Sequence, residues 1–148
     1  MAQQETQQSL EPQYDKSLLG KTLAETEIEV TADVIIRYAQ ATGESNPKYL
    51  KAGPDLEAPP GIFNVLEVPN SRAKVSFPFA KTGMHAGSAL YTYEPIKPGK
   101  LKVSVKLKDV YVKTGRSGAM GFVVHESEFR RPDGTVVARM TDTMLQRP

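Results

Sequence analysis

The sequence predicts an α+β fold in which a long antiparallel sheet wraps around a buried central helix. Three observations carry this reading. Ile62, Phe63, Val65, Leu66 and Val68 cover most of a helical surface, which marks a helix buried on nearly all sides. From about Met84 onward the chain reads as strand; Leu101, Val103, Val105 and Leu107 alternate strictly with Lys102, Ser104, Lys106 and Lys108. The length of 148 residues, 39% of them hydrophobic, suits one domain.

Residues 1–14 are rich in Gln and Glu, too poor in apolar groups to offset their ordering entropy, and are expected to form a tail ahead of a domain spanning 15–148. Thr26 to Val30 alternate as a first strand. Thr31 is placed to cap a helix, Asp33 adds a favourable charge to its first turn, and Val34, Ile35, Tyr38, Ala39 and Ala41 follow helical spacing. Gly43 ends that helix, and Asn46-Pro47 opens a second short turn. The apolar helix after Pro59-Pro60-Gly61 stops by Val68, because Pro69 disfavours helix in its predecessor. Within the strand region the inward phase flips from Leu107 to Val110, which predicts a bulge near Lys108-Asp109. Gly115 to Gly118 make a turn, Ala119 to Arg130 a strand, Pro132-Asp133-Gly134 a hairpin turn, and Val136 to Leu145 the last strand.

Composition removes several classes of function. There is no cysteine, hence no disulfide, thiolate nucleophile or Cys-based metal site, and the two histidines, His85 and His125, are too few and too far apart for a His-rich metal cluster. No apolar run is long enough to span a membrane, and MAQQETQQ lacks the regions of a secretory signal, so a cytoplasmic protein without membrane contact is expected. The net charge of +2 is too small to argue for nucleic acid, but basic residues gather at Lys97, Lys100, Lys102, Lys106, Lys108, Lys113 and Arg116 against a single acid, Asp109. Such a row serves either to protect a strand edge or to attract an anionic ligand or acidic carrier protein, and the solvated edge is the favoured reading. Aromatic residues for base stacking are sparse beside it, so no nucleic-acid partner is expected.

The segment Tyr38-Ala39-Gln40-Ala41-Thr42-Gly43-Glu44-Ser45-Asn46-Pro47-Lys48-Tyr49 resembles the motif of the MaoC-like (R)-specific enoyl-thioester hydratases and dehydratases, where a helix ends in Gly and continues Asp-x-Asn-Pro-x-His. Gly43, Asn46 and Pro47 match; the two catalytic positions hold Glu44 and Tyr49 instead of Asp and His. His85-Ala86-Gly87, Pro95 to Gly99 and Lys113-Thr114-Gly115-Arg116-Ser117-Gly118 resemble the strand region of the N-terminal-type domains of that family, in which the degenerate motif often belongs to a subunit paired with a dyad-bearing chain. The resemblance covers roughly residues 15–146. It implies the hot-dog fold, an acyl thioester of coenzyme A or of a carrier protein as substrate, no metal or redox cofactor, and a homodimer or a heterodimer with a second hot-dog chain.

On that resemblance the catalytic positions are Glu44, Asn46 and Tyr49. His85 is the only other plausible base; His125, mid-strand beside Glu126 and Glu128, is a weaker one. A tyrosine is a poor base near neutral pH, whereas an imidazole serves with little tuning. The family places thioester-oxygen donors where Pro60, Gly61, Ile62 and Phe63 stand here, and because prolines lack N–H groups the first amides available are those of Gly61 and Ile62. Phe63, Leu66, Val75 and Phe77 are expected near a hydrophobic acyl tunnel. Two other readings stand beside hydration and dehydration: a non-catalytic acyl-thioester-binding partner subunit, and an acyl-CoA thioesterase in which Glu44 activates water.

Overall fold

The computed structural model describes residues 9–66 and 68–148. Five strands form one antiparallel sheet: β1 (Thr22–Val30), β2 (Thr82–Thr92), β3 (Gly99–Gly115), β4 (Gly118–Arg130) and β5 (Val136–Arg147), in the order β1-β3-β4-β5-β2. Between β1 and β2 lie one α-helix, α1 (Ala32–Ala41), and short 3-10 turns at Pro47–Tyr49 and Pro60–Asn64. The sheet and α1, the single α-helix among the described residues, form a hot-dog fold.

Local chemistry sets most boundaries as the sequence predicts. Thr31 Oγ1 accepts the Val34 N–H at 3.2 Å, α1 stops before Gly43 (φ 75°), and Asn46 Oδ1 accepts the Lys48 N–H at 3.1 Å ahead of Pro47. The register of β3 on β4 slips between Leu107 and Asp109, where the phase flips. In the hairpin turn Asp133 Oδ1 accepts the Thr135 N–H at 2.8 Å and Gly134 takes φ 90°.

The predicted buried helix is a correction. The described residues of that stretch do not form it: a five-residue 3-10 helix, Pro60–Asn64, stands in its place, and Val65 is 54% exposed. Two prolines withhold donors from its start. The Ile62 and Val65 N–H groups bond three residues back, to Pro59 and Ile62, and Asn64 Nδ2 takes the Gly61 carbonyl that an α-helix would have given to Val65. Ile62 and Phe63 are nevertheless fully buried; with Ile35 of α1 they pack on Leu101, Val103, Val105 and Phe129 of the sheet, the Phe63 and Phe129 ring centroids 4.4 Å apart. A second cluster, Phe77, Phe79, Leu107, Ala119 and Val123, fills the other end of the same face.

Two further expectations change. The tail ends sooner than residue 14: Gln13 exchanges backbone hydrogen bonds with Ser76 (2.8 and 3.1 Å), and Tyr14 packs on the second cluster, while residues 1–8 lie outside the described residues. The lysine row is not an edge guard over Lys102–Lys106, because β3 has β1 and β4 on its two sides there. Its charges meet acids across the sheet: Lys100 with Glu27 (3.3 Å), Lys102 with Glu25 (3.6 Å), and Lys106 and Lys108 with Glu126 (3.1 and 2.9 Å). The pairs to Glu27 and Glu25 are solvated and each worth a fraction of a kcal/mol, whereas the Glu126 carboxylate that meets Lys106 and Lys108 is mostly covered.

Gly61 is required by a neighbour rather than by its backbone angle. A Cβ there would fall on the Tyr38 hydroxyl and lie 3.4 Å from Cζ. Gly61→Ala is therefore expected to cost about 1–3 kcal/mol in urea unfolding, and most of that loss should disappear in the double variant Gly61→Ala/Tyr38→Phe, which removes the one colliding atom.

Candidate active site

Position in the pleat decides which polar groups meet. Counting inward along β5 gives Ala138, Met140, Asp142 and Met144; along β4 it gives Val123, His125, Ser127 and Phe129. Asp142 and His125 sit opposite each other on this inner face and are 8% and 3% exposed, so a carboxylate and an imidazole are buried among apolar side chains. Ser88 of β2 is opposite Asp142. From Ser88, strict alternation would put His85 on the outer face. The register slips between His85 and Gly87, Ala86 being the extra residue, and this bulge turns His85 inward opposite Met144.

The buried Asp142 carboxylate is satisfied from three directions. His85 Nε2 lies 2.6 Å from Oδ1, the Ser88 hydroxyl donates to the same oxygen at 3.2 Å, and Arg72 Nη2 donates to Oδ2. Burial alone pushes the Asp142 carboxyl up, but the hydrogen bond and charge of Arg72, and then the hydrogen bond from His85, outweigh it and hold the group below the usual aspartate value. An ionised carboxylate only accepts, so His85 carries its proton on Nε2. His125 is the opposite case. Its Nε2 faces the Ala73 N–H at 3.0 Å and its Nδ1 faces Arg72 Nη1 at 3.4 Å, so donors flank both ring nitrogens. An imidazolium would set N–H against N–H on both sides; burial first, and the Arg72 charge second, push His125 down to about 4.

Asp142, His85, Ser88 and Arg72 line a cleft of about 750 Å³ between the inner face and the segment from Asn64 to Arg72. Its walls are apolar (Phe63, Leu66, Val68, Val105, Phe129, Met140), and Ser88, Ser127, His85, Asp142 and Arg72 supply the polar lining. Arg72 also borders a second cavity of about 630 Å³ that includes Val75, Val123 and His125. Among the described residues no three His, Asp or Glu side chains gather as metal ligands, and no helix is long and apolar enough to cross a membrane.

The residues singled out in the sequence divide between two places. His85 and Phe63 line the cleft, as does Leu66. Glu44, Asn46 and Tyr49 do not: Glu44 is half-buried past the end of α1 with its N–H on the Ala39 carbonyl (2.9 Å), Asn46 caps the next turn, and Tyr49 borders a separate groove of about 290 Å³ with Pro60. Ile62 is core, and its N–H is already given to the Pro59 carbonyl at 3.0 Å; Gly61 lies against Tyr38. Val75 faces the second cavity, and Phe77 belongs to the second core cluster. Asp142, Ser88 and Arg72 escape the sequence reading. One signal for Asp142 is present, a lone acid in the inward phase of an otherwise apolar strand.

The family described as "FAS1-like, dehydratase domain region" matches residues 17–140. Solved structures with a similar fold include the ChsH1–ChsH2 complex from Mycobacterium tuberculosis (19% identity, TM-score 0.66, covering 85% of this chain and 84% of that one). The R-hydratase PhaJ1 from Pseudomonas aeruginosa is similar at 17% identity and TM-score 0.61 (87% and 81% covered), and a MaoC-like dehydratase from Rhodospirillum rubrum at 20% and 0.63 (92% and 99% covered). No curated protein sequence matches the chain.

The His125 environment predicts acid lability of a defined sign. Its ordinary value is 6.5 and its folded value about 4, so the unfolded chain binds more protons between them. The stability is fully present above pH 6.5 and is lost as pH falls through 4, about 2 kcal/mol of it by pH 5. Asp142 adds a loss of the same sign at lower pH. Urea midpoints between pH 7.5 and 5 should fall for the wild type and change much less for His125→Gln.

Proposed function

Because this chain belongs to the FAS1-like dehydratase-domain family, we propose that it holds a 2-enoyl or 3-hydroxyacyl thioester for (R)-specific hydration or dehydration. The observation that carries this reading is the cleft itself: an apolar wall suited to an acyl chain runs to a polar group containing an oriented imidazole. Coenzyme A or a carrier protein's pantetheine is the handle, and no metal or redox group is needed, because the reaction moves only a proton and a hydroxide equivalent.

The chain acts paired with a second hot-dog chain. Glu44 and Tyr49 stand where the family motif has Asp and His, and neither lines the cleft that contains His85. β2 is an edge strand of eleven residues, exposed along nearly its whole length, and it borders the cleft through His85 and Ser88. A long open edge of this kind is a liability unless something pairs with it. Two of the similar folds, ChsH1–ChsH2 and the HadBC (3R-hydroxyacyl-ACP dehydratase) complex of Mycobacterium tuberculosis, are complexes, which supports a paired state here.

The test is binding and turnover of medium-chain 2-enoyl-CoA, with chiral analysis of the product. Ser127→Phe, which drives a ring into the cleft, should weaken binding of medium-chain 2-enoyl-CoA at least 10-fold and that of crotonyl-CoA less, with the circular dichroism spectrum unchanged. Equal affinity for both thioesters in the wild type and the variant would remove the cleft from the reading.

A further inference from the structure

We infer that His85, oriented by Asp142, is a catalytic acid–base residue of this chain, taking the place of the dyad that its Glu44/Tyr49 segment lacks. The inference rests on the thioester reading above and assigns the proton transfer within it. Four features support it. The Asp142 carboxylate fixes the Nε2–H tautomer through a 2.6 Å contact, so the remaining lone pair is on Nδ1. Nδ1 bonds to no described residue, and the side chain, 54% exposed, lines the cleft. Asp142 is saturated by Arg72, Ser88 and His85, which makes it an orienting group rather than a competing base. The bulge at Ala86 is what brings His85 to this face at all, and a bulge that re-aims one side chain into a cleft is a common device beside reactive sites.

The same geometry excludes Ser88 as a nucleophile. The imidazole nitrogen 3.1 Å from its hydroxyl is the protonated one, and the hydroxyl itself donates to Asp142. An activated serine needs an imidazole lone pair facing it. What remains is proton transfer to and from a bound thioester.

In dehydration, His85 Nδ1 takes the C2 proton while the C2–H electron pair becomes the C2=C3 bond. The C3–O bond breaks with its pair on oxygen, and the imidazolium returns the proton to that oxygen, so water leaves. Hydration is the reverse. One residue serving both atoms requires them on one face of the substrate, consistent with syn addition.

The test uses the purified full chain and follows solvent deuterium incorporation at C2 of (R)-3-hydroxybutyryl-CoA, with hydration of crotonyl-CoA and acyl-CoA binding measured alongside. His85→Ala should reduce incorporation and kcat at least 100-fold, the usual reach of general acid–base catalysis, and imidazole added to the buffer should restore part of the loss. Asp142→Asn should lower kcat about 10-fold or more with KM kept. Because half of the His85 side chain is exposed, its removal leaves the core intact, which circular dichroism checks. Turnover undiminished in His85→Ala overturns the assignment and moves the base elsewhere. Absence of exchange in a wild-type chain that still binds acyl-CoA also overturns it and leaves a thioester-binding subunit. Absence of both exchange and binding overturns the thioester reading itself, and this inference with it.

Discussion

A carboxylate buried in the middle of a sheet is the constraint on which the rest of this molecule depends. Asp142 is 8% exposed on the inner face, and an ion placed there is tolerable only if its oxygens are met by donors. The donors come from elements that sequence order keeps far apart: Arg72 from the loop before β2, and His85 and Ser88 from β2 itself. The polar demand of one residue thus ties the loop and the edge strand to the centre of the sheet. Taking away Arg72 would leave a buried charge with two donors, a change far costlier than the net worth of the pair suggests.

Arg72 does two things with one side chain. Nη2 donates to Asp142, and Nη1 faces His125, whose other nitrogen meets the Ala73 N–H. A guanidinium offers donors and nothing else, so burial first and Arg72 second hold His125 neutral, while the same guanidinium holds Asp142 charged. Neighbouring inward positions of one sheet thereby carry opposite electrostatic characters. The loop from Ser71 to Ala73 is clamped by both, and it forms the border between the two cavities.

How much of this was legible in the sequence follows the range of the interactions. Thr31, Asn46, the Leu107-to-Val110 phase change and Pro132-Asp133-Gly134 act on their own neighbours within a few residues, so their effects can be read locally. The resemblance to MaoC-like dehydratases also held, because it rested on motifs spread along the chain. The segment after Pro59 misleads because an apolar surface reports burial and not helix length. Ile62 and Phe63 are buried as expected, but two prolines and the Asn64 side chain stop the helix after one turn and a half.

The meeting of His85 with Asp142 was illegible for a different reason. The residues are 57 apart in sequence, and their contact depends on the register of β2 against β5, which one extra residue inverts. Without the slip at Ala86, alternation would leave His85 on the outer face of β2 and leave Asp142 with one donor fewer. The register shows what alternation alone left unread: a lone acid in the inward phase of β5 and a lone histidine in the inward phase of β4. Charged or polar residues at such positions are expensive, and a chain that keeps them has a use for the donors they recruit. Here the recruited donors are the Arg72 clamp and the His85 imidazole, and the second of these is the group that leaves a lone pair facing no protein partner among the described residues.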